Sequence, residues 1–149
     1  RQPIAMMTAY DYPTAALLAL KPLALDGPVV IDAKSGVSGA GRAATDGTHF
    51  VNVNEDLKPY KVNQHRHRPE IEEQLGGTRV VFQPHLVPMS HGELVSCYVT
   101  ADGTAPERIR AAYADVYDRD PDRLWRRVLR RQGGDLALLA SWTATPERN

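Results

Sequence analysis

The sequence HRHRPEIEE, from His65 to Glu73, joins a loop to a helix. We interpret the other motifs of the chain in relation to this junction. Pro69 suits the first position of a helix, where its missing N–H costs no hydrogen bond. The glutamates after it place negative charge in the first turn, where the helix dipole favours it, and Gly76-Gly77 predicts the helix end. Two imidazoles and two guanidiniums therefore precede a helix N-terminus, which indicates proton-transfer or anion-binding chemistry.

Composition narrows the classes of protein that this chain can be. Its 149 residues predict one domain, residues 1–149. The 18 basic residues balance the 18 acidic ones, so no global field indicates nucleic acid or an anionic membrane as a partner. The longest apolar run, residues 15–20, is too short to span a bilayer. With no secretory signal pattern and a lone cysteine, Cys97, a cytoplasmic protein without disulfides is expected.

The order of predicted elements indicates the α+β class. Residues 15–20 predict a short helix that Pro22 ends, and β-branched runs at 29–33 and 78–83 predict buried strands. Residues 93–100 alternate, with Val95 and Cys97 on one side and Ser96 on the other, and predict a third strand. We also expect a short strand at 48–53 and a loop at 54–63. Helices are expected after the capping box at 104–107, from residue 120 onward, and at 135–142. The predicted fold is a mixed β-sheet with helices packed on one face.

The strand at 29–33 runs into a loop rich in serine and glycine, residues 34–42, which reads KSGVSGAGR. Its glycines let the backbone approach a ligand, and its N–H and hydroxyl groups are donors. Lys34 and Arg42 flank it with positive charge, which suits a phosphate. The spacing matches neither the dinucleotide fingerprint nor a Walker A loop. An anion-binding loop and a plain flexible turn both remain open on these residues.

The histidines allow several further interpretations. His65 and His67 could ligate a metal with His85, His91 or Asp32, although the amidohydrolase barrel that begins with such a pair needs a longer chain. They could act as a general acid or base beside an anionic substrate, or simply be surface charges at a helix start. The arginines between positions 119 and 131 are better explained as a solvated amphipathic face than as a nucleic-acid interface.

In combination, several motifs resemble the family of N-acetyl-γ-glutamyl-phosphate reductases, over residues 12–118. The segments that carry the resemblance are YPT at 12–14, DAKSGVSGAGR at 32–42, YKV at 60–62, HRHRPEI at 65–71 and FQPHLVPM at 82–89. The resemblance implies the catalytic domain of a glyceraldehyde-phosphate-dehydrogenase-like enzyme. It also implies NADPH-dependent reduction of an acyl phosphate to a semialdehyde through a cysteine thioester, in an oligomer-forming protein of arginine biosynthesis.

The resemblance also implies roles for particular residues. His65 takes the place of the family's acid/base, and Arg66, His67 and Glu70 would hold substrate and order the site. The serine–glycine loop would lie at the nicotinamide end of NADP through Ser35, Gly36, Ser38, Gly39 and Gly41. These assignments raise the ligand-binding interpretation of the loop above that of a flexible turn.

The chain departs from the family's pattern at the nucleophile. Asp11 stands where the family has its cysteine, and a carboxylate attacking an acyl phosphate would form another anhydride in place of a thioester. Cys97 is expected to be a buried core thiol and no replacement. Residues 1–15 resemble the start of ketopantoate hydroxymethyltransferase, residues 119–149 are expected to form a helical tail of unknown origin, and no nucleotide-binding domain is expected in this sequence. We therefore expect an impaired reductase with weak NADP binding. The alternatives are a non-catalytic fragment or fusion scaffold with inherited site residues and, after it, a metal-dependent hydrolase.

Overall fold

The computed structural model describes residues 11–41, 43, 45–100, 104–117, 129–132 and 135–142, the last two ranges by their backbone alone. The helices are α1 (Tyr12–Leu20), α2 (Phe50–Val53), α3 (His67–Gln74) and α4 (Pro106–Tyr117), with 3₁₀ turns at Val37–Ala40 and Asp46–Thr48. The strands are β1 (Val29–Ser35), β2 (Lys58–Pro59), β3 (Val80–Leu86), β4 (Glu93–Tyr98), β5 (Leu129–Gln132) and β6 (Asp135–Trp142).

The strands form one mixed sheet in the order β2-β3-β1-β4-β6-β5. β1 and β3 run parallel, whereas β4 pairs antiparallel with both β1 and β6. The parallel pair requires a crossover, and the chain between β1 and β3 supplies it with α2 and α3. The predicted α+β class with a mixed sheet is confirmed.

The core lies between one face of the sheet and the helices. In β1, Ile31 is buried while Val30 is 41% exposed, which is the alternation expected of a sheet covered on one side. Phe82 and Val95 extend this buried face from β3 and β4, and α1, α3 and α4 all contribute residues to the same cluster. Burying a side chain such as Ile31 stabilises the fold by about 1.5–3 kcal/mol. Among the described residues, no helix has the length and apolar character needed to cross a membrane.

The short helix α1 is fixed at both ends by identifiable contacts. Its N-cap residue, Asp11, accepts a hydrogen bond from the backbone N–H of Tyr12, and Pro13 lies in the first turn, where a missing N–H costs no hydrogen bond. At the other end, the hydroxyls of Tyr113 and Tyr117 in α4 donate to the carbonyls of Ala19 and Leu18. These carbonyls lie in the last turn, where helical carbonyls lack intrahelical partners. The contacts hold α4 against α1 and set the position of Asp11.

The predicted strand at residues 48–53 is wrong. A capping box between Thr45 and Thr48 closes a 3₁₀ turn there, and α2 follows it. Of the β-branched and aromatic residues that suggested a strand, Phe50 is 75% and Val51 is 74% exposed, whereas Val53 is buried. Similarly, α3 begins at His67, so Pro69 lies at its third position and not its first.

The helix predicted at residues 135–142 is also wrong, since these residues form β6. Six consecutive register pairs join β6 to β4, among them Cys97 with Leu138. Without that pairing one edge of β4 would present unsatisfied backbone groups, so sheet formation outweighs local helix preference. Residues 129–132 form β5 and do not continue a helix. The start of the helix predicted from residue 120 lies outside the described residues.

Candidate active site

The site forms where the N-terminal ends of α1 and α3 meet. Asp11 immediately precedes α1, and His67 is the first residue of α3. The Asp11 Oδ2 atom lies 2.8 Å from His67 Nε2, and its Oδ1 accepts from the Tyr12 N–H at 2.9 Å. The side chain of Asp11 is 32% exposed while that of His67 is 8% exposed. A buried imidazole therefore supports a carboxylate that solvent can reach.

His67 is uncharged at neutral pH in this arrangement. Burial lowers its pKa, and the charge of Asp11 opposes that shift without cancelling it. A neutral imidazole carries one N–H, and the contact with Asp11 places it on Nε2. Arg66 Nε lies 3.2 Å from the same nitrogen, but it cannot donate to an atom that already carries a proton. The other nitrogen, His67 Nδ1, is buried without a hydrogen-bond partner.

His65 is packed as an aromatic core residue. Its ring lies between Tyr12, Tyr60 and Phe82 at centroid distances of 5.9, 5.6 and 5.4 Å, and it is 8% exposed. Its Nδ1 accepts the backbone N–H of His67 at 3.3 Å. Burial, reinforced by the neighbouring His67, lowers the pKa of His65 to about 4. The sequence pointed to His65 as the histidine facing position 11, but the direct contact is made by His67.

The other charged residues of the HRHRPE block divide into two groups. Arg66 and Glu70 are exposed, and the charges of both act on His67, in opposite directions. Arg68 has a structural role, because its Nε lies 3.1 Å from Glu72 Oε1 and it also donates to the carbonyl of Asn63. The same Glu72 oxygen accepts the N–H of Val80 at the start of β3.

The serine–glycine loop is held by the segment that precedes β4. The N–H groups of Gly36, Val37 and Ser38 donate to the carbonyls of residues 92, 89 and 90, and those of Gly39 and Gly41 donate within the loop. These five amides are therefore not available to an anion, contrary to the expectation from the glycine content. Ser38, Gly39 and Gly41 are exposed, whereas Gly36 is buried. What the loop offers a ligand is a hydroxyl and a surface without bulky side chains.

Glu93 belongs to the site, although the motifs did not single it out. It is the first residue of β4 and lies opposite Ser35 in the antiparallel register. Its Oε1 is buried and has no hydrogen-bond partner among the side chains and backbone that the structure describes. Burial, followed by the charge of Asp11, raises the pKa of Glu93 to about 7. The strand alternation could have identified Glu93, because it has the same parity as the buried residues Val95 and Cys97.

The residues suggested as further metal ligands lie elsewhere. Asp32 and His85 are directed to the open face of the sheet, where His85 Nδ1 lies 3.2 Å from Asp32 Oδ1. Lys34 forms an ion pair with the same aspartate and does not flank the loop as a phosphate ligand. The sheet thus separates these groups from His65 and His67. In the described part of the chain, no three histidine, cysteine or carboxylate side chains are placed to hold a metal ion.

Two other features lie apart from the site. Cys97 is a buried core thiol as predicted, and burial raises its pKa to about 12. A cavity of about 360 Å³ opens at the far end of α1 and α3, lined by Leu20, Lys21, Leu23, Leu25, Gln74, Leu75 and Thr78. Four of these seven lining residues are leucines, and Lys21 is the one charged residue among them, so the chemistry remains at the Asp11–His67 end.

The mixed sheet and its helices define an α+β domain. At one end of the sheet face that the helices cover, histidines and carboxylates form a cluster with the features of an active site. A sequence profile described as "Semialdehyde dehydrogenase, dimerisation domain" matches residues 12–128. The chain belongs to this family.

Similar proteins include several named N-acetyl-gamma-glutamyl-phosphate reductase. The one from Desulforudis audaxviator is 48% identical over 122 residues, which cover 74% of this chain and 35% of that protein. The one from Tolumonas auensis is 52% identical over 117 residues, covering 74% of this chain and 34% of that protein. The resemblance inferred from the motifs is confirmed, and the chain spans about a third of the length of these relatives.

Proposed function

We propose that the site binds an acyl phosphate of the kind named in the relatives, N-acetyl-γ-glutamyl phosphate, and that reduction to the semialdehyde is impaired in this chain. The observation that carries the proposal is the contact between position 11 and His67, at 2.8 Å. The reductases of the family use a cysteine at this position. A thiol in the same place would lie beside a neutral imidazole, the arrangement in which a base activates a nucleophile.

The retained residues have distinct roles in this proposal. With the family's cysteine at position 11, His67 would take and return the thiol proton, while Arg66, exposed beside it, attracts the phosphate. Glu70 lies in the first turn of α3 and orders this end of the helix. His65 keeps the aromatic packing around the site and remains neutral. Asp11 cannot form a thioester, so the carbonyl never reaches the state that a hydride would reduce.

NADP is the proposed cofactor, and when bound it supplies the hydride. The exposed loop residues Ser38, Gly39 and Gly41, together with Ser35 and Gly36 behind them, fit the flat nicotinamide end of such a cofactor. The amides of the loop are engaged internally, so they do not fit its pyrophosphate. Binding of NADP to this chain is therefore expected to be weak. The proposed setting is the cytoplasm, in arginine biosynthesis.

The second candidate is a non-catalytic fragment or fusion scaffold that keeps the site residues without using them. The structural role of Asp11 favours it, because this carboxylate caps α1 and hydrogen-bonds to a buried histidine. Isothermal titration with NADPH and with inorganic phosphate separates the two candidates. Heat with either ligand, lost in the Arg66→Ala variant, supports a binding site, whereas the absence of heat with both supports the scaffold.

We further propose that the chain forms a homo-oligomer through the open face of its sheet. Val30 is 41% exposed and Tyr98 is 49% exposed, and they are register partners in β1 and β4. The polar cluster of Asp32, Lys34 and His85 lies on the same face. The description of the family as a dimerisation domain supports a second copy as the occupant of this face.

A cysteine variant tests the proposed acyl-phosphate site. Asp11→Cys restores the family's residue beside His67, and incubation with acetyl phosphate should leave one acetyl group on the peptide that contains residue 11. Mass spectrometry of the digested protein measures it. The Asp11→Ser variant serves as a control of similar size without the thiolate. No acylation in a folded Asp11→Cys variant would reject the proposed site.

A further inference from the structure

The site contains two carboxyl groups in opposite environments. Asp11 receives N–H donors from Tyr12 and His67, and its side chain is 32% exposed, so water can reach it. Glu93 has a buried Oε1 without any donor. A buried carboxylate oxygen that lacks a hydrogen-bond donor has a high free energy when it is charged. Protonation of the carboxyl group lowers that free energy.

The neighbours of Glu93 reinforce this difference. The groups that act on it electrostatically are Asp11 before α1, the phenol of Tyr12 in α1 and the phenol of Tyr60 after β2. Ser35 of β1 lies opposite Glu93 in the register. None of these four groups is a cation, so none of them offsets a negative charge on Glu93. The protonated form of Glu93 is therefore favoured over the ionised form. Burial and the charge of Asp11 raise the pKa of Glu93 to about 7, so Glu93 can carry a proton near neutral pH and serve as an acid, while the partly exposed Asp11 is placed to serve as a base.

A third group points into the same cluster. His67 is 6% exposed, and its Nδ1 is buried without a partner. Because Nε2 faces Asp11, the imidazole fixes the direction of that carboxylate while its own second nitrogen stays shielded from water. Asp11, and not His67, is therefore the base that a water molecule can reach.

We propose that this site hydrolyses acyl phosphates, with Asp11 as the general base and Glu93 as the general acid. The inference rests on the proposed function, because it requires an acyl phosphate in the site. Asp11 takes one proton from water, and the water oxygen bonds to the acyl carbon. The bond from that carbon to the phosphate oxygen breaks, and its electron pair stays on the oxygen, which receives the proton of Glu93. The products are a carboxylic acid and phosphate, and transfer of the proton from Asp11 through solvent restores Glu93.

A carboxylate at position 11 is better suited to hydrolysis of an acyl phosphate than to its reduction. Attack by Asp11 itself would exchange one anhydride for another, whereas activation of water leads to a stable acid. No reductant takes part, so the reaction does not need NADPH. General acid–base catalysis typically contributes about 10²–10⁴-fold to a rate, which sets the size of the effect expected from each carboxyl group.

Release of inorganic phosphate from acetyl phosphate, without NADPH, tests the proposal on the full chain. We expect the rate to fall about 10²-fold in Asp11→Asn. The rate should decline above pH 7 as Glu93 loses its proton, and Glu93→Gln should be slower and lack this decline. The exposed residues Asp26 and Glu73 provide matched controls, and Asp26→Asn and Glu73→Gln should keep the rate of the parent chain.

The outcomes separate this inference from the proposed function. Phosphate release no faster than in folded Asp11→Asn, or unchanged by Glu93→Gln, would overturn the hydrolase proposal. If Asp11→Cys is nevertheless acylated by acetyl phosphate, the acyl-phosphate site stands and only the hydrolysis is rejected. If neither variant series responds, both proposals fall. Circular dichroism of every variant establishes that it is folded, and the Glu93→Gln pH profile gives a second route should Asp11→Asn not fold.

Discussion

The carboxylate of Asp11 lies 2.8 Å from Nε2 of His67, so the start of α1 and the start of α3 meet in a hydrogen bond between two side chains. The neighbouring His65 packs among the rings of Tyr12 and Tyr60. This geometry distinguishes a histidine that can exchange a proton with position 11 from one that shapes the pocket.

The Asp11→Cys variant should contain an activated thiol. A neutral imidazole at hydrogen-bond distance favours the thiolate, so we expect a thiol pKa of about 7 or lower, compared with about 8.5 for free cysteine. The pH dependence of alkylation by iodoacetamide measures it. Cys97 is an internal control, because burial raises its pKa to about 12 and it should stay unmodified below pH 9.

Glu93 should make the fold less stable as the pH rises. Its pKa is about 7 in the folded chain and 4.5 without the fold, so the folded state binds more protons between these values. The stability is therefore fully present below pH 4.5 and declines as the pH rises through 7. Glu93→Gln removes this decline and should raise the free energy of unfolding at pH 8 by up to about 3 kcal/mol. Urea unfolding at pH 5 and pH 8 measures it, and equal slopes with pH in parent and variant would contradict it.

His65 should act in the opposite direction, because its folded pKa lies below that of the unfolded chain. The folded value is about 4 against 6.5, so stability is present above pH 6.5 and lost as the pH falls through 4. His65→Phe keeps the ring contacts and removes the titration, so its stability should change less between pH 6.5 and 4. His65→Ala loses the ring contacts and should cost about 3 kcal/mol at pH 7. Urea unfolding checks both variants.

Gly36 should tolerate no side chain. A Cβ there would lie 2.8 Å from the carbonyl oxygen of Met89, which is backbone and cannot move aside without breaking the contact between the loop and the segment before β4. Gly36→Ala should cost about 1–3 kcal/mol in the free energy of unfolding. Gly47→Ala is the matched control, since its Cβ would meet nothing closer than 3.9 Å. Thermal unfolding that shifts equally in both variants would count against this packing.

Tyr98→Lys should weaken the proposed self-association. The substitution places a charge on the open sheet face beside Val30, where a second copy would have to desolvate it. Sedimentation velocity over a range of protein concentrations measures the effect. Val62→Lys changes a residue of similar exposure outside the sheet and should leave the association as it is. A parent chain that remains monomeric at all concentrations would refute the interface.

The sequence was most informative where local pattern and tertiary packing agree. The runs at 29–33 and 78–83 form the strands β1 and β3, with one face buried, because alternate residues such as Ile31 and Phe82 fill the space between sheet and helices while Val30 stays exposed. The helix predicted at 135–142 was wrong because these residues pair with the edge of β4. The local sequence pattern carries no information about that pairing. In the site, the motif could not tell which histidine contacts Asp11, since that depends on how α1 and α3 pack against each other. Glu93 was missed because its significance comes from its pairing with Ser35 across the sheet.

Acylation of the Asp11→Cys variant, with and without His67, is the most direct test of the central claim that position 11 and His67 form an acyl-phosphate site. Acetyl phosphate should place one acetyl group on the peptide with residue 11, and the rate should fall at least about tenfold in Asp11→Cys/His67→Gln but much less in Asp11→Cys/His65→Gln. Acylation that does not depend on His67, or no acylation of a folded variant, would contradict the claim.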